Sequence, residues 1–240
     1  MSEKCKWLHE VLERLPLVKF PFEIASLPDN GIYFFYEKGE FWGHGDKKLR
    51  IVRVGTHKGN NFKSRISEHF LINESKMNFK SNRPKPSDRS IFRKNIGRAL
   101  LNKKNDPYLP IWEIDFTTVK KREEFGDLRD IEKEKLIEEE VTKNLREKFS
   151  FRFIIIDEEK QRIGSEGLES LIIGTLAKCQ KCKPSPHWLG NFSPKSQIRS
   201  SGLWVVQHLK SPELEDLDMK NIEELVRRTE RWIQESQRDY

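Results

Sequence analysis

The stretch that decides the fold runs from Gly31 to Phe70. It opens with Gly31-Ile32-Tyr33-Phe34-Phe35-Tyr36, a run of β-branched and aromatic residues. A Gly-rich turn follows (Gly39, Gly43, Gly45), then Leu49-Arg50-Ile51-Val52-Arg53-Val54. Two apolar runs separated by turn residues predict a β-hairpin with a long loop. Gly55 to Asn61 then leads into Phe62-Lys63-Ser64-Arg65-Ile66-Ser67-Glu68-His69-Phe70, where Phe62, Ile66 and Phe70 recur every four residues. That spacing predicts a helix over about 62–72 with those three side chains on its core face. Arg65 and His69 are also four apart, so they share a face one turn from each other.

Working outward, residues 3–15 place Trp7, Leu8, Val11, Leu12 and Leu15 on one helical stripe closed by Pro16. Residues 73–90 read as irregular. A helix is expected over 91–103, ending before Pro107, and a short strand over 111–116. A surface helix with little to bury is expected over 121–148. Phe151-Arg-Phe-Ile-Ile-Ile156 has the composition of a buried central strand. A helix over 168–177 follows, then a long loop marked by Pro184, Pro186, Gly190 and Pro194. One more strand is expected near 201–209. The final helix, reaching about residue 238, carries Leu217, Ile222, Leu225, Val226, Thr229 and Ile233 on one stripe. The fold class expected is α/β (α+β). It is a small mixed three-stranded sheet flanked by helices, in one domain, with a helical insertion and covering terminal helices.

The 240 residues are 35% apolar and 35% charged, which predicts a thin core and long solvated helices. No run approaches the length of a membrane span, and the N-terminal stretch reads as an amphipathic helix without the apolar region of a signal peptide. Three cysteines without a framework suit a reducing compartment such as the cytoplasm. The chain's formal charge of +7 is unevenly placed. Lys76 to Lys104 holds ten basic residues against the single acid Asp88, so the remainder of the chain is net acidic. A concentrated basic stretch is what a polyphosphate partner attracts, because each neutralised phosphate releases condensed counterions. The same stretch could equally be a solvated basic loop.

Gly31-Ile32-Tyr33 on the first strand, Arg53-Val54-Gly55 ending the second, and Asn61, Phe62, Arg65, Ile66, His69 and Phe70 opening the helix together resemble the GIY-YIG nucleases. That family includes excision-repair, homing and restriction endonucleases. The resemblance covers roughly residues 30–70 and 150–192. It implies a nuclease core over about 28–72 and 150–192, a basic and helical insertion over 73–149, and a C-terminal strand and helix over 198–238. It also implies catalytic roles for Tyr33, Arg65 and His69, and a glutamate on the helix after the third strand that holds Mg²⁺ (or Mn²⁺). Glu169 in Leu168-Glu-Ser-Leu-Ile-Ile173 follows the central strand and is favoured; Glu138 has a similar neighbourhood but precedes it. Asn191 corresponds to the family's asparagine after a proline loop.

Two features depart from the family. Arg53 stands where the family has its second tyrosine, so a cation replaces a phenol. It could hold a phosphate oxygen, with Lys58 or His57 taking over a proton role. The second departure is an insertion of about eighty residues.

These residue types suit phosphodiester hydrolysis. A planar guanidinium such as Arg65 is a two-pronged donor for the non-bridging oxygens. A metal on Glu169 stabilises the leaving oxygen. An ordinary phenol is a poor base at neutral pH, so Tyr33 in that role needs cations nearby. The reading that follows is a metal-dependent DNA endonuclease of restriction type, acting on double-stranded DNA, with a homodimer as the simplest way to cut both strands. Contacts to nucleic acid are expected from Lys63, Arg83, Lys85, Arg89, Arg93, Lys94 and Asn191. A repair or recombination nuclease, an inactive nucleic-acid-binding module and an RNA substrate remain open alternatives. Cys179-x-x-Cys182 with His187 suggests a zinc set that lacks a fourth cysteine, so unmetallated thiols in a loop are the favoured state. Trp188, Phe192 and Trp204 are expected in the core rather than stacked on bases.

Overall fold

The structure, a computed structural model, describes residues 2–236; residues 237 and 238, included in the expected last helix, lie outside it. In chain order the helices are α1 (Ser2–Leu12), α2 (Phe62–Phe70), α3 (Pro86–Arg89), α4 (Ile91–Lys103), α5 (Leu109–Glu113), α6 (Val119–Phe125), α7 (Ile131–Lys148), α8 (Glu159–Arg162), α9 (Leu168–Ala177), α10 (Ser196–Ser201) and α11 (Asp216–Ser236). The strands are β1 (Val18–Lys19), β2 (Ile32–Phe41), β3 (Leu49–Gly55) and β4 (Phe149–Ile154). They form one sheet in the order β1-β4-β2-β3, with every neighbouring pair antiparallel. The fold is α/β as expected, but the sheet is antiparallel rather than mixed and has a short fourth strand. The long connection between α2 and β4 permits either strand direction, so the sequence pattern could not fix it.

Alternation along β2 builds two cores. Tyr33 and Phe35 point to one face, with Phe62, Ile66 and Phe70 of α2 and Phe92 and Ile96 of α4. Ile32, Phe34 and Tyr36 point to the other, with Leu8 and Leu12 of α1, Leu168, Ile172 and Ile173 of α9, and Ile222 and Val226 of α11. Period-two side chains on a central strand place successive residues in opposite layers, so both faces of this small sheet are covered.

Three expected elements differ. Residues 111–116 are not a strand: α5 occupies 109–113, with Pro110 in its first turn, where a missing N–H costs nothing. Its Trp112 lies against Gly97, where a Cβ would come 2.4 Å from the indole. Residues 201–209 run beside β3, yet among the described residues the one backbone–backbone bond to it is from Trp204 N–H to the Val52 carbonyl at 2.7 Å; Arg50 and Arg53 of β3 add side-chain bonds to the Gly202 and Trp204 carbonyls. Left-handed turns at Gly202 and His208 bracket the segment and stop a ladder from forming. The expected long surface helix is split at Gly126–Leu128 into α6 and α7. Moreover, α7 buries Ile137, Val141 and Leu145 together with Glu134 and Glu138. On α11, Ile222, Leu225, Val226 and Thr229 are buried, but Leu217 is 78% exposed.

Candidate active site

β2 and β3 place Tyr33 directly opposite Gly55. The ring lies over that glycine so closely that a Cβ there would stand 2.5 Å from the hydroxyl; the strand ends in glycine because the phenol occupies the space. Arg53 is opposite Phe35, and the register slips just beyond that pair. Such a bulge turns two consecutive residues, here Val52 and Arg53, toward one face and re-aims the second. The Arg53 guanidinium lies 4.8 Å from the centre of the Phe92 ring and donates to the Trp204 carbonyl at 2.6 Å.

His69 ends the buried face of α2 and is fully enclosed. Its Nε2 is 3.0 Å from Tyr33 Oη, and its Nδ1 is 2.8 Å from Ser90 Oγ. Ser90 is also the cap of α4, accepting the Arg93 N–H at 3.3 Å. Burial holds the imidazole well below the usual histidine range, and the positive charges of Arg53, Arg65 and Arg93 add to the effect. His69 is therefore neutral at neutral pH, with one nitrogen donating and one accepting. One turn earlier, Arg65 is partly exposed. Its Nη1 donates to the Glu68 carboxylate at 2.6 Å and to the Arg89 carbonyl at 2.9 Å.

Glu169 opens α9, in the layer on the other side of the sheet. It lines a cavity of about 360 Å³ with Arg53, Asn95 and His208 among its polar walls. Burial raises its carboxyl, opposed by the Arg53 charge, the Thr56 backbone N–H and Arg162. Tyr33 meets β3 at Gly55, its last residue, and the Glu169 carboxylate faces the Thr56 N–H just beyond it from the other side of the sheet. Tyr33 does not line the cavity; it is 1% exposed. Glu169 is the one acidic side chain on the cavity wall among the described residues. Mg²⁺ commonly takes one or two carboxylates and completes its shell with water and phosphate oxygens, so this donor set fits a cation shared with a bound phosphate. Glu138 is elsewhere. It is fully buried, accepting from Arg93 Nη2 and Ser87 N–H, each at 2.7 Å.

The remaining expected residues are scattered. Lys58 is exposed in the loop after β3. His57 Nε2 accepts the Gly31 N–H at 3.3 Å and its ring packs edge-on against Phe62, and so ties the start of β2 to the start of α2. Lys63 pairs with Asp29 at 2.9 Å. Arg83 and Arg89 are exposed. Three residues expected to touch nucleic acid are instead inside the protein. Lys85 and Lys94 both bind Asp88 at 3.0 Å and the Ile114 carbonyl. Arg93 binds Glu138, with both side chains at 0% exposure. All three charges are turned inward onto buried carboxylates, the two lysines sharing Asp88, so, contrary to expectation, none faces a partner. Asn191 turns its amide back to the Ser185 and Pro186 carbonyls. Trp188 and Trp204 are core residues whose indoles donate to Glu37, while Phe192 is partly exposed beneath Lys103.

Sequence reasoning missed Ser90 and Arg162. Ser90 was legible as a helix cap before Ile91, though not as a partner of His69. Arg162, 1% exposed, donates to the His57 carbonyl at 2.7 Å and to Thr56 Oγ1 at 3.2 Å. No pattern in a polar connection marks an arginine as buried.

The hairpin hands the phenol of its first strand to a histidine of the following helix, the juxtaposition that the resemblance in sequence implies. The family comparison agrees: the GIY-YIG domain family matches residues 11–232, and the chain belongs to it. That span includes the insertion and most of α11. No curated protein and no solved structure matches the chain significantly.

Proposed function

We propose that this GIY-YIG protein is a metal-dependent endonuclease that hydrolyses DNA phosphodiester bonds, of restriction type. The observation that carries the reading is the 3.0 Å contact of Tyr33 with His69 at the end of β3, with Glu169 facing Thr56 just beyond it from the other side of the sheet. A histidine kept neutral by burial and three arginines is a poor proton acceptor. We assign its Nε2–H as donating to Tyr33 Oη and the Ser90 hydroxyl as donating to Nδ1. Ser90 then uses its single proton on the imidazole while its oxygen takes the Arg93 N–H. Tyr33, held in this way, keeps its own O–H free to orient the attacking water, whose proton passes to solvent. Arg53 and Arg65 supply guanidinium donors for the non-bridging oxygens, where charge builds in the transition state. Glu169 would hold a divalent cation, which would supply charge neutralisation at the leaving oxygen. One site per chain suits a homodimer for double-strand cleavage.

A second reading is a nucleic-acid-binding module without activity. It is favoured by Arg53, which replaces a phenol and spends a donor on the Trp204 carbonyl. Supercoiled plasmid incubated with the protein and Mg²⁺ separates the two. The nuclease nicks or linearises it, and chelator stops the reaction; a retarded but intact plasmid supports the binding module. Discrete ends on mapping support the restriction-type role, whereas cutting confined to branched or damaged DNA favours a repair nuclease.

A further inference from the structure

The chain's three cysteines come from distant stretches and converge with a histidine. Cys5 lies on α1, His44 in the β2–β3 loop, and Cys179 and Cys182 in the turn after α9. Cys5 Sγ is 3.7 Å from Cys182 Sγ, Cys179 Sγ is 3.4 Å from His44 Nε2, and the four atoms all lie within 4.8 Å of one another. Tetrahedral zinc, with bonds of about 2.3 Å to sulfur and about 2.05 Å to nitrogen, sets S–S edges near ~3.8 Å and S–N edges near ~3.6 Å. Both separations agree with those edges. The sulfurs are also much farther apart than the ~2.05 Å of a disulfide.

The backbone is built around this cluster. Gly43, just before His44, lies so close to the Cys-x-x-Cys turn that a Cβ would stand 2.0 Å from the Lys181 carbonyl oxygen. Backbone N–H groups of Cys182 and Lys181 donate to the Cys179 sulfur, and that of Gly43 donates to Cys182. Amides aimed at sulfur favour thiolate, the form that binds metal. His187, the histidine the sequence suggested, is exposed and lies outside the cluster.

We propose that Cys5, His44, Cys179 and Cys182 form a structural Zn²⁺ site. Three thiolates and a neutral imidazole complete a four-coordinate shell with no open position, which is the arrangement of a structural rather than a catalytic centre. Binding expels the remaining thiol protons to solvent and leaves the centre with one net negative charge, facing the N–H donors just named. The site clamps α1, the hairpin loop and the end of α9. It therefore braces the helix that carries Glu169 against the hairpin that carries Tyr33 and Arg53. This inference stands independently of the nuclease reading.

Metal analysis of the full-length protein, purified under reducing conditions without added chelator, is the test. The expected result is about one zinc per chain. Replacement by Co²⁺ is expected to give tetrahedral d–d bands and thiolate charge-transfer absorption of an intensity that fits three sulfurs. Stripping the zinc is expected to lower the melting temperature by about 10 °C or more. Cys179→Ser should lose the metal. His44→Cys should keep it with a four-thiolate cobalt spectrum, which guards against a serine variant that merely misfolds. A protein that takes up neither Zn²⁺ nor Co²⁺ when reduced, or a His44→Cys variant with an unchanged cobalt spectrum, would overturn the proposal.

Discussion

The hairpin with α2 holds eight Lys and Arg in residues 31–70 and the basic stretch 76–104 holds ten in fewer residues, and the two use them differently. In the first, Arg53 reaches the cavity it shares with Glu169, and Arg65 stays partly exposed beside His69. In the second, Lys85, Lys94, Arg93 and Arg98 turn inward to Asp88, Glu138 and Glu113. The exposed positive charge of that stretch is left to residues such as Lys76, Lys80, Arg83 and Arg89. Charge counted along a sequence is not charge on a surface. A buried cation pairs with whatever acid the fold delivers, even one 45 residues away, as Arg93 does with Glu138. Burying such a pair is compensated only when both partners and their hydrogen bonds are present.

The comparison can be broken by substitution. Arg93→Ala strands Glu138 in the core and is expected to cost about 3–5 kcal/mol in urea unfolding. Replacing both residues with leucine should recover much of that loss, and a cost below about 1 kcal/mol for the single change would place Arg93 at the surface. On the hairpin side the penalty falls on chemistry. Tyr33→Phe is expected to lower the cleavage rate by about 10²–10³-fold while costing only about 1–3 kcal/mol of stability for the bond lost to His69.

Acid sharpens the contrast further. His69 keeps its folded-state pKa well below the ordinary value of 6.5. As pH falls through 6.5, the unfolded chain takes up a proton that the folded chain refuses. The stability His69 contributes is thus full above 6.5 and shrinks below it, by at most about 1.4 kcal/mol per pH unit. His69→Gln should flatten this part of the curve, seen as a smaller difference between denaturation at pH 7 and pH 5.5; an unchanged slope would mean that His69 titrates normally. The smallest effect is expected at the surface. Arg83→Ala and Arg89→Ala should each reduce the salt dependence of DNA binding by about one unit of slope, while Lys85→Ala should act on stability instead.

Much of the core was legible because it repeats locally. A run of β-branched and aromatic residues set β2, and the four-residue spacing of Phe62, Ile66 and Phe70 set α2. Ile91 to Lys103 form a helix between the expected bounds. What failed was non-local. The IWEIDF segment has the composition of a strand, but no sheet edge receives it, and its Trp112 is claimed by Gly97 of α4. The inward turn of Lys85, Arg93 and Lys94 depends on acids supplied by tertiary contact. So does the link from His69 to Ser90. The zinc proposal shows the same limit: Cys179-x-x-Cys182 is visible in sequence, whereas Cys5 and His44 join it only through the packing of α1 and the hairpin loop.

The most direct test of the account is single-turnover cleavage of a duplex by the wild-type protein and Glu169→Gln, with binding measured on the same DNA. The account predicts that both proteins bind within a few-fold of each other, and that Mg²⁺-dependent cleavage by the variant falls by about 10³-fold or more. Cleavage by Glu169→Gln at the wild-type rate would contradict it, as would a wild-type protein that binds the duplex and never cuts it.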